Sequence, residues 1–515
     1  MSAATWRLPR AGDRFREPPH APRRIGSRSP GAALFPRRYR IHGRLTTPEQ
    51  LLGWLLLRAP ASAALPAEPR VPFPYGLLIG CAPEIAIDFT DRNVMHTAGS
   101  RYVSRAIGFR EFLVLTAAIM ACQAVAVDTM LPALPSIARD LGVTDANSAQ
   151  WVITTYIAGV GFGQLFWGML SDRFGRRRML LTGLVLYVIA AAAVGMAGSF
   201  EALLAWRFAH GIAAASMVIS RSVIRDLYGG RQMARVMSLT FIVFIMVPII
   251  APSIGQMVLL VAPWRALFHV FCGFAAAVLL WVYFRLPETL HPEYRMTLTV
   301  GHVASAARKV GADRASLWYT LCVALMFGSI IGYVGMMPQI FAAVFHRPSL
   351  MPSAFAMCAA SMGVASFLNS RVVERFGMRM ISQAGLLVFI FVTALHVLVA
   401  GLGAETLWTF IVLQGATMGC LGLIMANFGA MAMEQMGSVA GIAASLQGCV
   451  GTFGGAIVAA LMGQQFNGST IPLALGALLC GLLALGCVLL AEGGRLFRPH
   501  QLAPGEPSPA SPGIH

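Results

Sequence analysis

The chain has 515 residues, of which 57% are hydrophobic and only 12% are charged, and its mean hydropathy is +0.68. Soluble domains carry roughly twice that charged fraction, which argues against a soluble enzyme, a nucleic-acid-binding domain and a disordered scaffold, whereas the hydrocarbon of a bilayer accommodates this much apolar surface. The net charge of +17 comes from arginines in an N-terminal arm and in short segments between apolar runs. That distribution is typical of membrane topology rather than of a nucleic-acid groove.

Residue types also limit the energy source and the chemistry. Lys309 is the only lysine, so no Gly-x-x-x-x-Gly-Lys-Ser/Thr phosphate loop exists and direct use of ATP is not expected. The nine cysteines stand singly, without Cys-x-x-Cys spacing, and most fall in apolar runs. We interpret them as small packing residues and predict no disulfide framework, no metal and no cofactor.

The N-terminal arm, residues 1–106, differs from the rest of the chain. It is rich in proline and arginine and has no sustained apolar period, so we expect it to be disordered or to lie on a membrane surface. An alternative is that the natural chain starts at Met95 and that the preceding residues are an extension of the gene model. Residues 493–515 are predicted to form a disordered tail.

Apolar runs of spanning length follow in chain order. Six precede a more polar stretch and six follow it, and each is near the roughly 20 residues that cross a bilayer as a helix. The runs are 111–134, 149–170, 179–197, 200–221, 236–260 and 265–286, then 316–341, 352–370, 381–401, 406–430, 439–463 and 471–491. The sequence therefore predicts an all-α membrane protein with twelve transmembrane helices.

An internal repeat relates the two sets of runs. The segment RFGRR at 173–177, after the second run, recurs as RFGMR at 375–379, after the eighth run and 202 residues later. Such a repeat predicts two parallel six-helix bundles with a substrate site between them. We therefore expect an N-terminal bundle at 107–290, a cytoplasmic linker at 291–315 and a C-terminal bundle at 316–492.

Arginine placement predicts the orientation. The short segments after the even-numbered runs are rich in arginine and the opposite segments are not. Because arginine-rich segments stay on the cytoplasmic side, both termini are predicted to be cytoplasmic, in the inner membrane of a bacterium. Arg177 and Arg178 are interpreted as ordinary basic residues of this kind.

A loop motif follows the second run. The sequence GMLSDRFGRRR, which begins at Gly168, resembles the signature loop between helices two and three of the major facilitator superfamily. Gly168 is expected to let two helices approach closely and Gly175 to form a tight turn. Asp172 is expected to face the N-terminus of helix eleven and to stabilise the outward-facing state, while Arg173 and Arg176 hold the loop at the cytoplasmic surface. The alternative is a set of ordinary positive-inside arginines with a turn glycine.

The fifth run carries a motif of prolines and small residues. The segment VPIIAPSIGQ at 247–256 resembles the helix-five motif of the antiporter branch of that superfamily, through Pro248, Ala251, Pro252 and Gly255. Proline bends a helix and small residues let a neighbour pack tightly, which predicts a kinked, tight contact between the bundles. The alternative is a proline kink of the kind that ordinary transmembrane helices tolerate.

Three further segments narrow the resemblance. DTMLPALPSI at 128–137, RSVIRDLY at 221–228 and LPETL at 286–290 resemble the bicyclomycin/chloramphenicol-resistance (Bcr/CflA) type of drug:proton antiporter, over about residues 108–492. The resemblance implies the major facilitator fold and proton-coupled drug export. It also implies a proton-transfer pattern Arg-x-x-Gln-Gly in helix four, which here reads RFAHG from Arg207.

Asp128 and Arg207 are the predicted proton-coupling residues. Asp128 lies 17 positions past Glu111, ~25 Å along a helix, and Arg207 lies 7 positions into the fourth run, ~10 Å from the opposite face. The two charges are therefore expected to share a layer. An intramembrane acid is rare and costly, and a proton or a cationic drug can compete for it. The alternatives are that Asp128 caps a helix end at interfacial water and that Arg207 extends outward to the head groups.

Polar and aromatic side chains inside the runs supply candidates for a substrate cavity. They are Tyr156, Gln164, Trp167, Gln339, Gln414 and Asn427. The second half has almost no intramembrane charge, which favours a lipophilic neutral or cationic ligand over a sugar. His210, where the family pattern has glutamine, is interpreted as a hydrogen-bonded structural residue, with titration near neutral pH as the alternative.

The sequence thus predicts a monomeric multidrug exporter, not an enzyme, that exchanges protons for lipophilic compounds by rocking its two bundles. Its expected partners are a small-molecule substrate, protons and the lipid bilayer, and no nucleic acid. Two alternatives are an exporter of a specific metabolite or a facilitator on the same fold, and a non-transporting membrane sensor or scaffold.

Overall fold

The computed structural model describes residues 107–228, 230–291, 293, 295 and 300–497, and all regular structure in these ranges is helical. The arm at 1–106, the alternative start at Met95 and most of the tail lie outside the described residues. Twelve long helices are numbered in chain order. They are α1 Phe109–Asp128, α2 Trp151–Phe174, α3 Arg176–Gly195, α4 Phe200–Ala214, α5 Gly230–Val261, α6 Arg265–Arg285, α7 Arg314–Gln339, α8 Met351–Phe376, α9 Met378–Gly401, α10 Leu407–Met433, α11 Ala440–Gly463 and α12 Ile471–Ala491.

These helices confirm the predicted all-α fold with twelve spans. Eleven helical segments of the described chain are long and apolar enough to cross a membrane. The other span, α5, has 32 residues, and its described apolar stretch is Met246–Val261. The chain is therefore a multi-pass membrane protein.

The first span is interrupted where the sequence has two prolines. α1 ends at Asp128 and is followed by a 3₁₀ turn, Leu131–Ala133, and a short helix, Leu134–Asp140. Pro132 and Pro135 lack an N–H group, so they cannot continue the α-helical hydrogen-bond ladder. We call this interruption, residues 128–132, the α1 break. The fourth span is likewise segmented, because α4 passes through a 3₁₀ turn into a short helix, Ile219–Leu227.

Contacts among the helices repeat with a shift of six. In the first half α1 packs on α5 and α6, α2 on α4, and α3 on α4 and α6; in the second half α7 packs on α11 and α12, α8 on α10, and α9 on α10 and α12. The halves meet through α2 against α11 and α5 against α8, and the same shift exchanges these two contacts. This is the arrangement that two related bundles with a site between them require.

A helix that the sequence analysis did not predict lies within the linker. Val300–Ala312 forms 13 residues of α-helix, and Asp313 then caps α7 by accepting a hydrogen bond from the N–H of Ser316 at 2.6 Å. Val310 of this helix is buried against Met436, next to the start of α11. The linker therefore packs on the second half rather than only joining the two halves.

Candidate functional site

Asp128 lies at the α1 break with its carboxylate unpartnered. The residue is 6% exposed, and it forms no hydrogen bond or ion pair with any residue that the structure describes. The phenol groups of Tyr156 on α2 and Tyr333 on α7 are within electrostatic range of it. An intramembrane acid without a structural partner is a signal of function, because burying it carries a cost that no native contact offsets.

Arg207 is fully buried and approaches the α1 break without pairing with Asp128. Its Nε donates to the carbonyl of Val152 at 3.0 Å, and its NH2 donates to the carbonyl of Ala126 at 3.2 Å. The Ala126 carbonyl is available because Met130, whose N–H would bond it in a continuous helix, bonds the i−3 carbonyl instead at 3.2 Å. Guanidinium and carboxylate therefore approach the same interruption of α1 and form no salt bridge within the described chain.

Aromatic side chains surround the guanidinium of Arg207. Its central carbon lies 4.3 Å from the ring centroid of Tyr156, and its NH1 lies 3.4 Å from Nδ1 of His210. The ring of His210 packs 4.2 Å from that of Tyr187. The hydroxyls of Tyr156 and Tyr187 donate to two consecutive carbonyls of α1 at 3.1 and 2.8 Å. Donors from α2, α3 and α4 thus bond the last two turns of α1, which end at Asp128.

The helix-five motif packs on the α1 break. A methyl group on Gly255 would overlap the carbonyl oxygen of Thr129 and come 3.1 Å from Cγ of Pro132. The contact of this glycine is thus with α1 of its own half, although α5 also contacts α8 of the other half. The remaining motif residues lie earlier in the same continuous helix: Pro248, Ala251 and Pro252.

The loop motif forms a charge network around Arg176. The Arg176 side chain is 4% exposed; it pairs with Asp172, donates to Asp226 Oδ2 at 3.0 Å and donates to Ser171 Oγ at 2.7 Å. Gly175 adopts φ of +102°, a region that favours glycine. The participation of Asp226, at the end of the fourth span, was not predicted, since an acid beside an arginine-rich segment has no distinguishing sequence signal.

Arg173 differs from Arg176. It is exposed, and its guanidinium lies 5.2 Å from the ring of Phe174. It forms no ion pair among the described residues, which fits a side chain that stays at the membrane surface.

α2 and α11 pack antiparallel in one register over their whole length. Glycine on one helix faces a side chain or backbone atom on the other, so the axes approach closely. From the arginine-rich end to the opposite end, the facing pairs are Asp172 with Gly441, Gly168 with Ser445, Gln164 with Gly448, Gly161 with Phe453 and, directly before α2, Gln150 with Gly463. Asp172 thus lies against the start of helix eleven.

Six hydrogen bonds join the halves at the end of α2 and α11 that lies away from the arginines. Asn147 donates to the carbonyl of Gln464 at 3.2 Å, and Gln150 donates to Gln339 Oε1 at 2.5 Å. We call Asn147, Gln150, Gln339 and Gln464 the outer network. Only Gln339 was singled out from the sequence, because the other three lie at the ends of apolar runs, where polar residues are ordinary.

Substitution of the outer network is expected to separate the halves at this end. In an Asn147→Ala, Gln150→Ala variant most of the six bonds are lost, each worth about 1 kcal/mol, so the population open at this end rises at least tenfold. Spin labels at Thr144 and Asn467, both exposed, in a cysteine-free chain would report a longer distance by double electron–electron resonance. An unchanged distance distribution would contradict a gating role for the network.

The other candidate cavity residues divide between one half and the interface. Trp167 donates to a backbone carbonyl of α4 at 2.7 Å, and Asn427 donates to an asparagine of α8 at 2.9 Å, so both are bonded within one half. Gln164 lies between the halves and accepts a hydrogen bond from Thr452 at 3.5 Å. Gln414 is buried on α10.

Comparison with known proteins agrees with this architecture. Residues 116–459 match the Major Facilitator Superfamily. A bicyclomycin resistance protein homolog of Haemophilus influenzae is 30% identical over 354 residues, which are 67% of this chain and 87% of that protein. Multidrug resistance protein MdtL of Klebsiella pneumoniae is 28% identical over 397 residues, 75% of this chain and 96% of that protein.

A solved structure shows the same fold at low identity. The crystal structure of a D-xylose-proton symporter aligns with a TM-score of 0.59 at 15% identity, over 76% of this chain and 99% of that chain. The resemblance drawn from the loop motif, the helix-five motif and the segment at 128–137 is therefore confirmed. The chain belongs to the major facilitator superfamily, a family of membrane transporters.

Proposed function

We propose that this transporter exports lipophilic neutral or cationic compounds in exchange for protons, in the inner membrane of a bacterium and with both termini cytoplasmic. The observation that carries the proposal is the unpartnered, buried carboxylate of Asp128 at the α1 break. The names of the relatives, bicyclomycin resistance and multidrug resistance, support the substrate class. The bacterial origin of those relatives supports a location in the inner membrane of a bacterium.

The neighbourhood of Asp128 supports a ligand site. Thr129 Oγ1 is buried without a partner among the described residues, and buried polar groups ordinarily have one. The hydroxyl of Tyr333 is buried beside the thiol of Cys358. The ring of Tyr333 stacks on Phe355 of α8 at 5.6 Å with an interplanar angle of 9°. A carboxylate, two hydroxyls and an aromatic wall suit an apolar ligand with one or two polar groups or a positive charge.

The coupling step follows from the availability of the Asp128 charge. Arg207 donates its hydrogen bonds to carbonyls of α1 and α2 and does not form an ion pair with Asp128. A proton and the ligand therefore compete for the Asp128 carboxylate. Protonation from outside releases the ligand, and deprotonation toward the cytoplasm resets the site. The α2–α11 contact and the outer network are the elements that a rocking motion of the halves repacks.

A susceptibility panel tests this function. In an efflux-deficient host, expression of the chain is expected to raise the inhibitory concentration of several lipophilic drugs, and an uncoupler is expected to remove that protection. Everted vesicles would show substrate-induced release of protons. Protection that persists with an uncoupler would favour a facilitator, and transport of one metabolite without any drug would favour a specific exporter; either result contradicts the proposal.

A further inference from the structure

A groove of about 690 Å³ runs between α3 and α6 on the outside of the first half. Arg177, Arg178 and Tyr283 line its arginine-rich end. Thr182 and several leucine and valine side chains line the remainder; of these, Leu186 and Leu280 are 45% and 55% exposed. The groove therefore opens on the surface of the bundle that lipid covers.

The length of the groove matches one leaflet. Arg178 and Leu186 are 8 positions apart on α3, ~12 Å along the helix. Half of a hydrocarbon core ~30 Å thick is ~15 Å. The arginines thus lie at the level of the head groups, and the apolar lining extends through most of the adjoining acyl-chain layer.

The two arginines bring positive charge that no described carboxylate pairs with. Arg177 donates from NH2 to the carbonyl of Tyr283 at 2.6 Å, and its guanidinium lies 5.5 Å from the Tyr283 ring. Arg178 is exposed, and neither side chain forms an ion pair within the described chain. The nearby Glu288 accepts hydrogen bonds from the backbone N–H groups of Arg176 and Arg177 at 2.8 and 3.5 Å, so its carboxylate faces the start of α3 rather than the groove.

The arginine at the repeat-related position of the second half is paired within the protein. Arg379 stands 202 residues after Arg177 in the repeat. Its guanidinium pairs with Glu434 and with Glu492, each at 2.9 Å. Arg379 therefore pairs with two carboxylates of the protein, whereas Arg177 pairs with none that the structure describes. An anion from outside the protein can thus pair with Arg177.

We propose that the α3–α6 groove binds an anionic phospholipid. Its phosphate lies between Arg177 and Arg178, and one acyl chain follows the apolar lining toward Leu186. Basic pockets between transmembrane helices at the membrane surface recognise anionic head groups in this way. The inference rests on the two arginines and the apolar lining of this groove, and it stands apart from the exported compound.

Native mass spectrometry of the full chain in detergent tests the proposal, with phosphatidylglycerol and phosphatidylcholine of identical acyl chains as probes. Arg178→Gln is expected to weaken retention of phosphatidylglycerol about fivefold, and Arg177→Gln with Arg178→Gln about thirtyfold. The matched control is Arg371→Gln, which removes an exposed arginine at the same end of the second half and is expected to change nothing. Phosphatidylcholine is expected to bind weakly to all four proteins.

A second variant tests the contribution of the acyl chain separately from that of the head group. Leu186→Trp fills the groove without changing charge and is expected to reduce retention of phosphatidylglycerol, whereas soluble glycerol 3-phosphate is expected not to displace the lipid. Because Arg178 is exposed, its substitution leaves the fold intact, which thermal melting checks. Equal retention by the double variant and the wild type, or equal binding of the two lipids, would overturn the proposal.

Discussion

Asp128→Asn is expected to abolish proton-driven export while leaving binding of a neutral substrate in place. Asparagine preserves the size and polarity of the side chain but cannot gain or lose a proton, so competition between proton and ligand disappears. In everted vesicles we expect no substrate-induced proton release. In cells we expect drug susceptibility at the level of the host without the transporter.

Glu111→Gln is the matched control for this experiment. Glu111 is on the same helix, but its carboxylate is partly exposed and pairs with Arg285 at the arginine-rich end. The same change of a carboxylate to an amide is therefore expected to leave coupling intact there. Intact proton release by Asp128→Asn, or equal losses in the two variants, would show that coupling does not depend on the acid at the α1 break.

The sequence predicted the helices better than the functions of their side chains. The predicted run 439–463 and helix Ala440–Gly463 nearly coincide, because a membrane span is determined by one property, the apolar content of about 20 residues. The interruption of α4 after Ala214 was missed, since no proline or charge marks it. The linker helix Val300–Ala312 was missed because a polar stretch between two sets of spans was interpreted only as a connection.

Side-chain roles depend on neighbours that a single span does not reveal. Tyr156 was assigned to the cavity because it is an aromatic, polar residue inside a run; that its hydroxyl bonds α1 and its ring covers Arg207 could not be predicted from the run. The repeat predicts the same turn in both halves, and Gly175 and Gly377 indeed have φ of +102° and +80°. It does not predict that Arg379 pairs with two glutamates, because those residues come from distant spans.

Gly255→Ala is expected to impair both stability and export. The new methyl group overlaps the carbonyl oxygen of Thr129, and backbone atoms cannot move aside as a flexible side chain can. Overpacking of this kind costs about 1–3 kcal/mol, so the melting temperature in detergent falls. Because the displaced carbonyl belongs to the residue after Asp128, we expect drug export to fall as well.

Gly273→Ala on α6 is the matched control, because it makes the same glycine-to-alanine change at a position without close contacts. Apart from the two chain neighbours and the adjoining backbone of α6, no atom lies within 4 Å of a methyl group at Gly273. Alanine there is therefore expected to be neutral or slightly stabilising, since it is the better helix former. If Gly255→Ala melted and exported like Gly273→Ala, close packing of α5 on the α1 break would not be needed for transport. If Gly255→Ala lowered export without lowering the melting temperature, the contact between α5 and the α1 break would act on the position of Asp128 rather than on the stability of the bundle.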